Sequence, residues 1–141
     1  MHTENQNLTS SSRTAALLIA HGSRKPKANA DLVELAERVR AHAELDIVEI
    51  AYLELAAPSI PEGLNACLKQ NAARILMMPY FLSAGSHVEE DLGRYRDEFQ
   101  AEHPEIEIAV CPPLGLHSLM EEIVLDRIRE GMERLHSDGE S

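Results

Sequence analysis

Four short apolar runs punctuate the chain: "AALLIA" (15–20), "DIVEIAYLEL" (46–55), "RILMMPYFL" (74–82) and "IEIAVC" (106–111). Near-continuous apolar runs of this length, rich in Ile, Leu and Met, predict strands buried on both faces, because a half-buried strand would alternate with polar residues. Between and after them, apolar residues recur at helical spacing: Leu32, Leu35, Ala36 and Val39; Ile60, Leu64, Ala66 and Cys67; Val88, Leu92, Tyr95 and Phe99; Leu119, Ile123, Ile128, Met132 and Leu135. The order is βαβαβαβα. Parallel strands need crossovers, and crossover helices cover the sheet, so the pattern predicts a single doubly wound α/β domain: a four-stranded parallel sheet with helices on both faces. Three helix starts carry a hydroxyl followed three residues later by a glutamate, the spacing of a capping box: Ser59 with Glu62, Ser86 with Glu89, and Ser118 with Glu121. The domain is expected over residues 14–136, between a disordered polar leader (1–13) and a disordered tail (137–141).

Composition narrows the function classes. At 141 residues and 44% hydrophobic, the chain can bury one core and is too short for two ordinary domains. Its formal net charge of -11 opposes phosphate-rich partners, which excludes nucleic acid and anionic membrane surfaces and leaves small-molecule chemistry. The leader "MHTENQNLTSSSR" lacks the apolar core of a signal peptide, and no run approaches the roughly 20 apolar residues that cross a bilayer. Two cysteines without a CxxC motif give neither a disulfide framework nor a zinc site, so a reducing cytoplasm is the expected compartment.

Candidate chemistry gathers at the strand-to-helix turns, since open parallel sheets bind ligands beyond the carboxyl ends of their strands. His21, Glu54, His87 and His117 each fall at or just past a strand end, and the first three are equally spaced, one βα unit apart. Two histidines and a carboxylate suit a divalent transition metal with open positions. With Ser86 as cap, His87 would open a helix, where a neutral imidazole is favoured, the form that a ligand or a general base needs. Glu54 reads equally as a strand-end residue reaching solvent, and His117 as the residue before a helix cap. The remaining histidines, at helix ends and in the terminal segments, read as solvated. "SRKPK" (23–27) sets Arg24, Lys25 and Lys27 beside Ser23 at a helix start, where bases are locally unfavourable unless an anionic ligand meets them. Tyr80 and Phe81 could form a flat apolar wall or equally pack into the core at a strand end, and Ser83, Ala84, Gly85 and Ser86 could form a loop that a ligand approaches closely.

Three stretches, "LLIAHGSRKPKAN", "VEIAYLELAAPSI" and "MMPYFLSAGSHVEEDL", resemble in order and spacing the signatures of the small-form sirohydrochlorin chelatases, the CbiX/SirB family of class II chelatase type. The resemblance covers about residues 15 to 130. It implies a chelatase-like fold and ATP-independent insertion of a divalent metal substrate into sirohydrochlorin, for cobalamin or siroheme synthesis. The metal would be Co2+ or Fe2+, or Ni2+ as in some archaeal members, and no organic cofactor is implied. Residue by residue, it places catalytic and metal-binding roles on His21, Glu54 and His87, and gives none to His117. Substrate contacts are expected from Ser23, Arg24, Lys25, Tyr80, Phe81, Ser83 and Gly85, with Lys27 and Arg94 as further bases for the carboxylates of the macrocycle. Four strands at about 4.8 Å spacing span only about 14 Å, a width comparable with the tetrapyrrole, so one domain walls one side and a homodimer is expected.

Two other classes compete. A non-enzymatic metal- or tetrapyrrole-binding protein would carry the same residues without turnover. The "AHGSR" stretch also looks like the "RHG" of histidine phosphatases, but Ala20 stands where phosphoryl transfer needs an arginine.

Overall fold

The computed structural model describes residues 13–42 and 44–140. Its strands are β1 (Thr14–Ala20), β2 (Ile47–Tyr52), β3 (Arg74–Pro79) and β4 (Glu107–Val110), and its helices α1 (Pro26–Arg40), α2 (Ile60–Lys69), α3 (Ser86–Glu102) and α4 (Ser118–Glu140). All strand pairings are parallel, in the order β2-β1-β3-β4. β1 is flanked on both edges and covered on both faces, which is why Ala15 to Ile19 are all buried and the strand reads as an unbroken apolar run.

Alternation along the strands separates two cores. Ala15, Leu17 and Ile19 of β1, with Ile75 and Met77 of β3, pack on one face against Ile60, Leu64 and Cys67 of α2 and against Leu92 and Phe99 of α3. Ala16 and Leu18 face the other way and pack with Val48 and Tyr52 of β2 against Leu32 and Ala36 of α1. Each fully buried Leu, Ile or Met contributes about 1.5–3 kcal/mol relative to exposure, so the first, larger core carries most of the hydrophobic stabilisation.

β2, β3 and β4 are shorter than their apolar runs, the first two for local reasons. β2 stops at Tyr52, whose N–H turns to the Pro58 carbonyl at 2.8 Å, while residues 53 to 58 loop outward through Leu55 in the left-handed region (φ 65). β3 ends on Pro79, although Tyr80 N–H still donates to the Ile19 carbonyl at 2.7 Å.

Of the three expected capping boxes, one forms. Ser59 N–H donates to Glu62 Oε1 at 2.8 Å, and Glu62 N–H donates to Ser59 Oγ at 3.3 Å. At α3 the cap is Gly85, with no side-chain hydrogen bond, because extended backbone at Gly85 places Ser86 already inside the first turn. His87 is therefore the second helical residue, not the first. At α4, Leu119 N–H donates to His117 Nδ1 at 3.1 Å and Met120 N–H donates to the His117 carbonyl at 2.8 Å, so the imidazole of His117 does what Ser118 was expected to do.

The described ends of the domain reach further than the expected boundaries. Residues 1–12 of the expected leader lie outside the described residues, but Arg13 is already tied to the sheet, its carbonyl accepting from Ala73 N–H at 2.8 Å and Arg74 N–H at 3.2 Å. Helix α4 runs on to Glu140 through the segment expected to be a loose tail, since no proline stops it. Its packing is the larger surprise. None of its described side chains is buried, and Ile123, Val124, Leu125, Ile128, Met132 and Leu135 are all exposed.

Candidate functional site

The carboxyl ends of β1, β2 and β3 continue into three turns that the sheet's own hydrogen bonds hold side by side. Leu53 N–H donates to the Ala20 carbonyl and Glu54 N–H to the His21 carbonyl, both at 3.0 Å, so the backbones of His21 and Glu54 are direct neighbours. Gly22 makes this approach possible. It adopts φ 96, and a Cβ built on it would lie 1.8 Å from the Glu54 carbonyl oxygen, so any side chain would push the two turns apart.

His21 is exposed, but its ring rests on Phe81, with centroids 4.3 Å apart and planes tilted by 32°. Phe81 itself is 6% exposed. The sequence left it open between a substrate wall and a core residue. It is instead the floor beneath His21, because the turn after Pro79 folds it inward while Tyr80 and Leu82 stay exposed. Tyr80, Ser83 and Gly85 remain accessible on the same turn.

The turn after His21 is laced from within. Ser23 N–H donates to Asn29 Oδ1 at 2.9 Å, Asn29 Nδ2 donates to the Ser23 carbonyl at 2.7 Å, and Lys25 N–H donates to Ser23 Oγ at 3.1 Å. Tyr52 Oη, from the end of β2, donates to the Asn29 carbonyl at 2.7 Å. Ser23 was expected to contact a ligand, and its polar atoms serve the turn. Asn29 and Tyr52 were missed in the sequence reading. The available signal was Asn29 six residues past Ser23, which is the reach of a side chain closing a turn onto a helix start.

Arg24, Lys25 and Lys27 are exposed on this turn and have no carboxylate partner among the described residues. Arg94 differs: it is engaged on the α3 surface with Asp91 at 3.4 Å and Glu98 at 3.6 Å, over the Tyr95 ring. The free bases are thus on the β1–α1 turn.

His87 is exposed in the first turn of α3, on the third of the three turns, and Glu54 is exposed on the second. The sheet thus brings the turns that carry all three candidate residues to one end. Among the described residues no three His, Cys, Asp or Glu side chains converge on a common metal position. His117 lies beyond β4, used as a cap. His103, expected to be solvated, is half-buried and packs on Phe99 at 4.6 Å.

Both thiols are held in the protonated form. Burial, with the charge of Glu49 second, pushes the Cys67 thiol up to about 12, and burial also raises Cys111. Glu62 moves the other way. The hydrogen bonds from Ser59, first from its backbone N–H, hold its carboxyl below the ordinary 4.5. Among the described residues no helix is long and apolar enough to cross a membrane.

Comparison with known proteins adds a family to this geometry. Residues 15–131 match the family model CbiX. The chain is 31% identical over 124 residues to the sirohydrochlorin ferrochelatase of Priestia megaterium, covering 88% of this chain and 47% of that protein. It is 32% identical over 137 residues to the sirohydrochlorin cobaltochelatase of Methanocaldococcus jannaschii, covering 80% of this chain and 96% of that one. The solved structure of the sirohydrochlorin chelatase SirB from Bacillus subtilis subspecies spizizenii, in complex with cobalt, superposes with a TM-score of 0.77 at 30% identity, over 84% of this chain and 50% of that chain. The chain therefore spans about half the length of the Priestia and Bacillus proteins, and nearly all of the archaeal one.

Proposed function

This chain belongs to the CbiX family, and from that premise we propose that it inserts a divalent metal ion, cobalt or iron, into sirohydrochlorin. The observation that carries the reading is the delivery of His21, Glu54 and His87, on three successive strand-to-helix turns, to the open carboxyl end of the sheet. The names of the relatives, ferrochelatase and cobaltochelatase, support both metals. Nickel, which imidazole and carboxylate ligands also accept, is the third candidate.

Insertion exchanges two pyrrole N–H protons for one divalent ion. His21 and His87, as neutral imidazoles, hold the incoming metal, and one of them accepts a pyrrole proton. Glu54 balances charge or removes the second proton. Arg24, Lys25 and Lys27 meet carboxylates at the rim of the macrocycle, and Tyr80 with Leu82 offers its flat face an apolar surface. Phe81 supports His21 from below. No organic cofactor takes part, and the reaction runs in the cytoplasm.

The exposed positions of the three residues leave one face of the macrocycle uncovered, so the working unit is a homodimer. The test is an absorbance assay with sirohydrochlorin and Co2+ or Fe2+. The wild type should change the spectrum faster than the uncatalysed control, and His21→Ala or His87→Ala should lose most of the rate with the fold intact, because exposed turn residues contribute little to the core. A spectrum no faster than the control would mark a binding protein without turnover. A His21→Ala, His87→Ala double variant at the wild-type rate would place the site elsewhere.

A further inference from the structure

The helix that follows His21 starts without the usual devices. α1 opens on Lys25 with no side-chain cap and no acidic residue in its first turn, whereas α2 has both, in Ser59 and Glu62. At this bare start the chain sets Arg24, Lys25 and Lys27, which are exposed and have no carboxylate partner among the described residues. The positive end of the helix and the mutual repulsion of the three cations both act to push such a turn away from the domain.

A clasp and one phenol oppose that push. Asn29 holds the Ser23 backbone at both its N–H and its carbonyl, so the segment that carries the three bases is a loop closed at its two ends. The clasp by itself would let this closed loop swing as a unit. Leu32 and Ala36 fasten α1 to the sheet from its second turn on. Ahead of them, the hydroxyl of Tyr52, the last residue of β2, fastens the first turn by donating to the Asn29 carbonyl at 2.7 Å.

Tyr52 is a fixed mooring. It is 3% exposed, its N–H donates to the Pro58 carbonyl, and its Cβ lies 3.2 Å from where a Cβ on Gly22 would stand. Burial raises the phenol above its ordinary 10.0, so it stays a donor at neutral pH. His21 has supports of its own: its carbonyl accepts from Glu54 N–H and its ring rests on Phe81. The hydroxyl therefore acts on the bases rather than on the imidazole.

We propose that Tyr52 is a positioning residue for the substrate: through Asn29 and Ser23, its hydroxyl fixes the basic turn so that Arg24, Lys25 and Lys27 meet the carboxylates of the macrocycle together. This rests on the reading above, that the substrate is sirohydrochlorin, and adds a residue that touches neither metal nor macrocycle. A turn fixed beforehand loses less freedom when the carboxylates arrive, so the effect is on affinity and not on the chemical step.

Tyr52→Phe removes the hydroxyl and keeps the ring, with circular dichroism as the check of fold. Sirohydrochlorin is titrated by absorbance without metal, Co2+ is titrated without macrocycle, and insertion is followed at varied sirohydrochlorin. The variant should weaken macrocycle binding and raise KM by about three- to tenfold, the size of one lost hydrogen bond, with kcat and Co2+ binding unchanged. In a chain already carrying Arg24→Gln, Lys25→Gln and Lys27→Gln, the same substitution should have no further effect. Wild-type affinity in Tyr52→Phe would overturn the proposal. So would a loss of equal size in the chain without the three bases, which would mark a hydroxyl that serves the fold alone. A parallel loss of Co2+ binding would place the effect on His21 and would also overturn it. A wild type that binds no sirohydrochlorin removes the proposed function and this role with it, whereas a wild type that binds and inserts, beside an indifferent Tyr52→Phe, loses only the mooring.

Discussion

The turns that carry His21 and His87 are built to opposite specifications. The first is closed from within: Gly22 is wedged against the Glu54 carbonyl, Ser23 and Asn29 bind each other twice, Tyr52 anchors Asn29, and Phe81 supports the imidazole. The second has no side-chain cap, and a Cβ on its Gly85 would meet nothing within 4 Å. One imidazole rests on a ring in a turn laced by side chains, and the other sits at a helix start that no side chain caps. In the proposed reaction this asymmetry would divide the work between a fixed ligand position and one that can adjust as a metal moves toward a macrocycle.

Substitutions should reproduce that contrast in order of size. Gly22→Ala is expected to cost about 3 kcal/mol or more, since it combines a left-handed backbone with a contact that the two turns cannot relieve without separating. A lowered urea midpoint, with metal insertion reduced even where the protein stays folded, would confirm it. Asn29→Ala should cost about 1–2 kcal/mol, because the half-buried Ser23 backbone loses both partners, and should slow insertion by freeing the His21 turn. An unchanged rate at full stability would show that the lacing is not needed for the chemistry.

The middle turn gives a smaller, pH-dependent yardstick. Because the folded state holds the Glu62 carboxyl below 4.5, its contribution is present above that value and is lost as pH falls through the lowered one. Glu62→Gln should therefore be less stable than the wild type at pH 7 and nearly equal to it near pH 3, in paired urea titrations. The smallest effect is expected at the third turn. Gly85→Ala meets no neighbour and keeps an ordinary extended backbone (φ -70), so its stability should change by less than about 1 kcal/mol, with insertion retained. A loss as large as that of Gly22→Ala would erase the difference between the two turns.

What could be read in advance follows the same division. The alternation of strands and helices and the carboxyl end of β1 were legible because burial on both faces leaves a long apolar run that little else produces. The Ser59 cap was legible because hydroxyl and carboxylate satisfy each other locally. Ser86 and Ser118 show the same spacing and fail, since the helix starts one residue earlier than the motif implies and spacing alone does not fix backbone phase. Phe81 was left open between a ligand wall and the core for a related reason: an aromatic at a strand end points inward or outward according to how the turn folds, and here it turns under His21. The lacing by Asn29 and Tyr52 joins side chains from two different turns, a contact that no local pattern records. α4 is the opposite case. Its periodic apolar stripe correctly marks a helix, but periodicity does not say that the helix packs on its own sheet, and the side chains of that stripe are exposed.

The two cysteines bear on what the chain can survive. A ferrous ion in air generates peroxide, and the sulfur form that peroxide attacks, and that soft metals seize, is the thiolate. With Cys67 wholly buried and pushed up to about 12, and Cys111 raised by its own partial burial, both sulfurs stay protonated at neutral pH. In the proposed reaction, neither sulfur would therefore offer peroxide or an arriving iron or cobalt ion a ready-made thiolate.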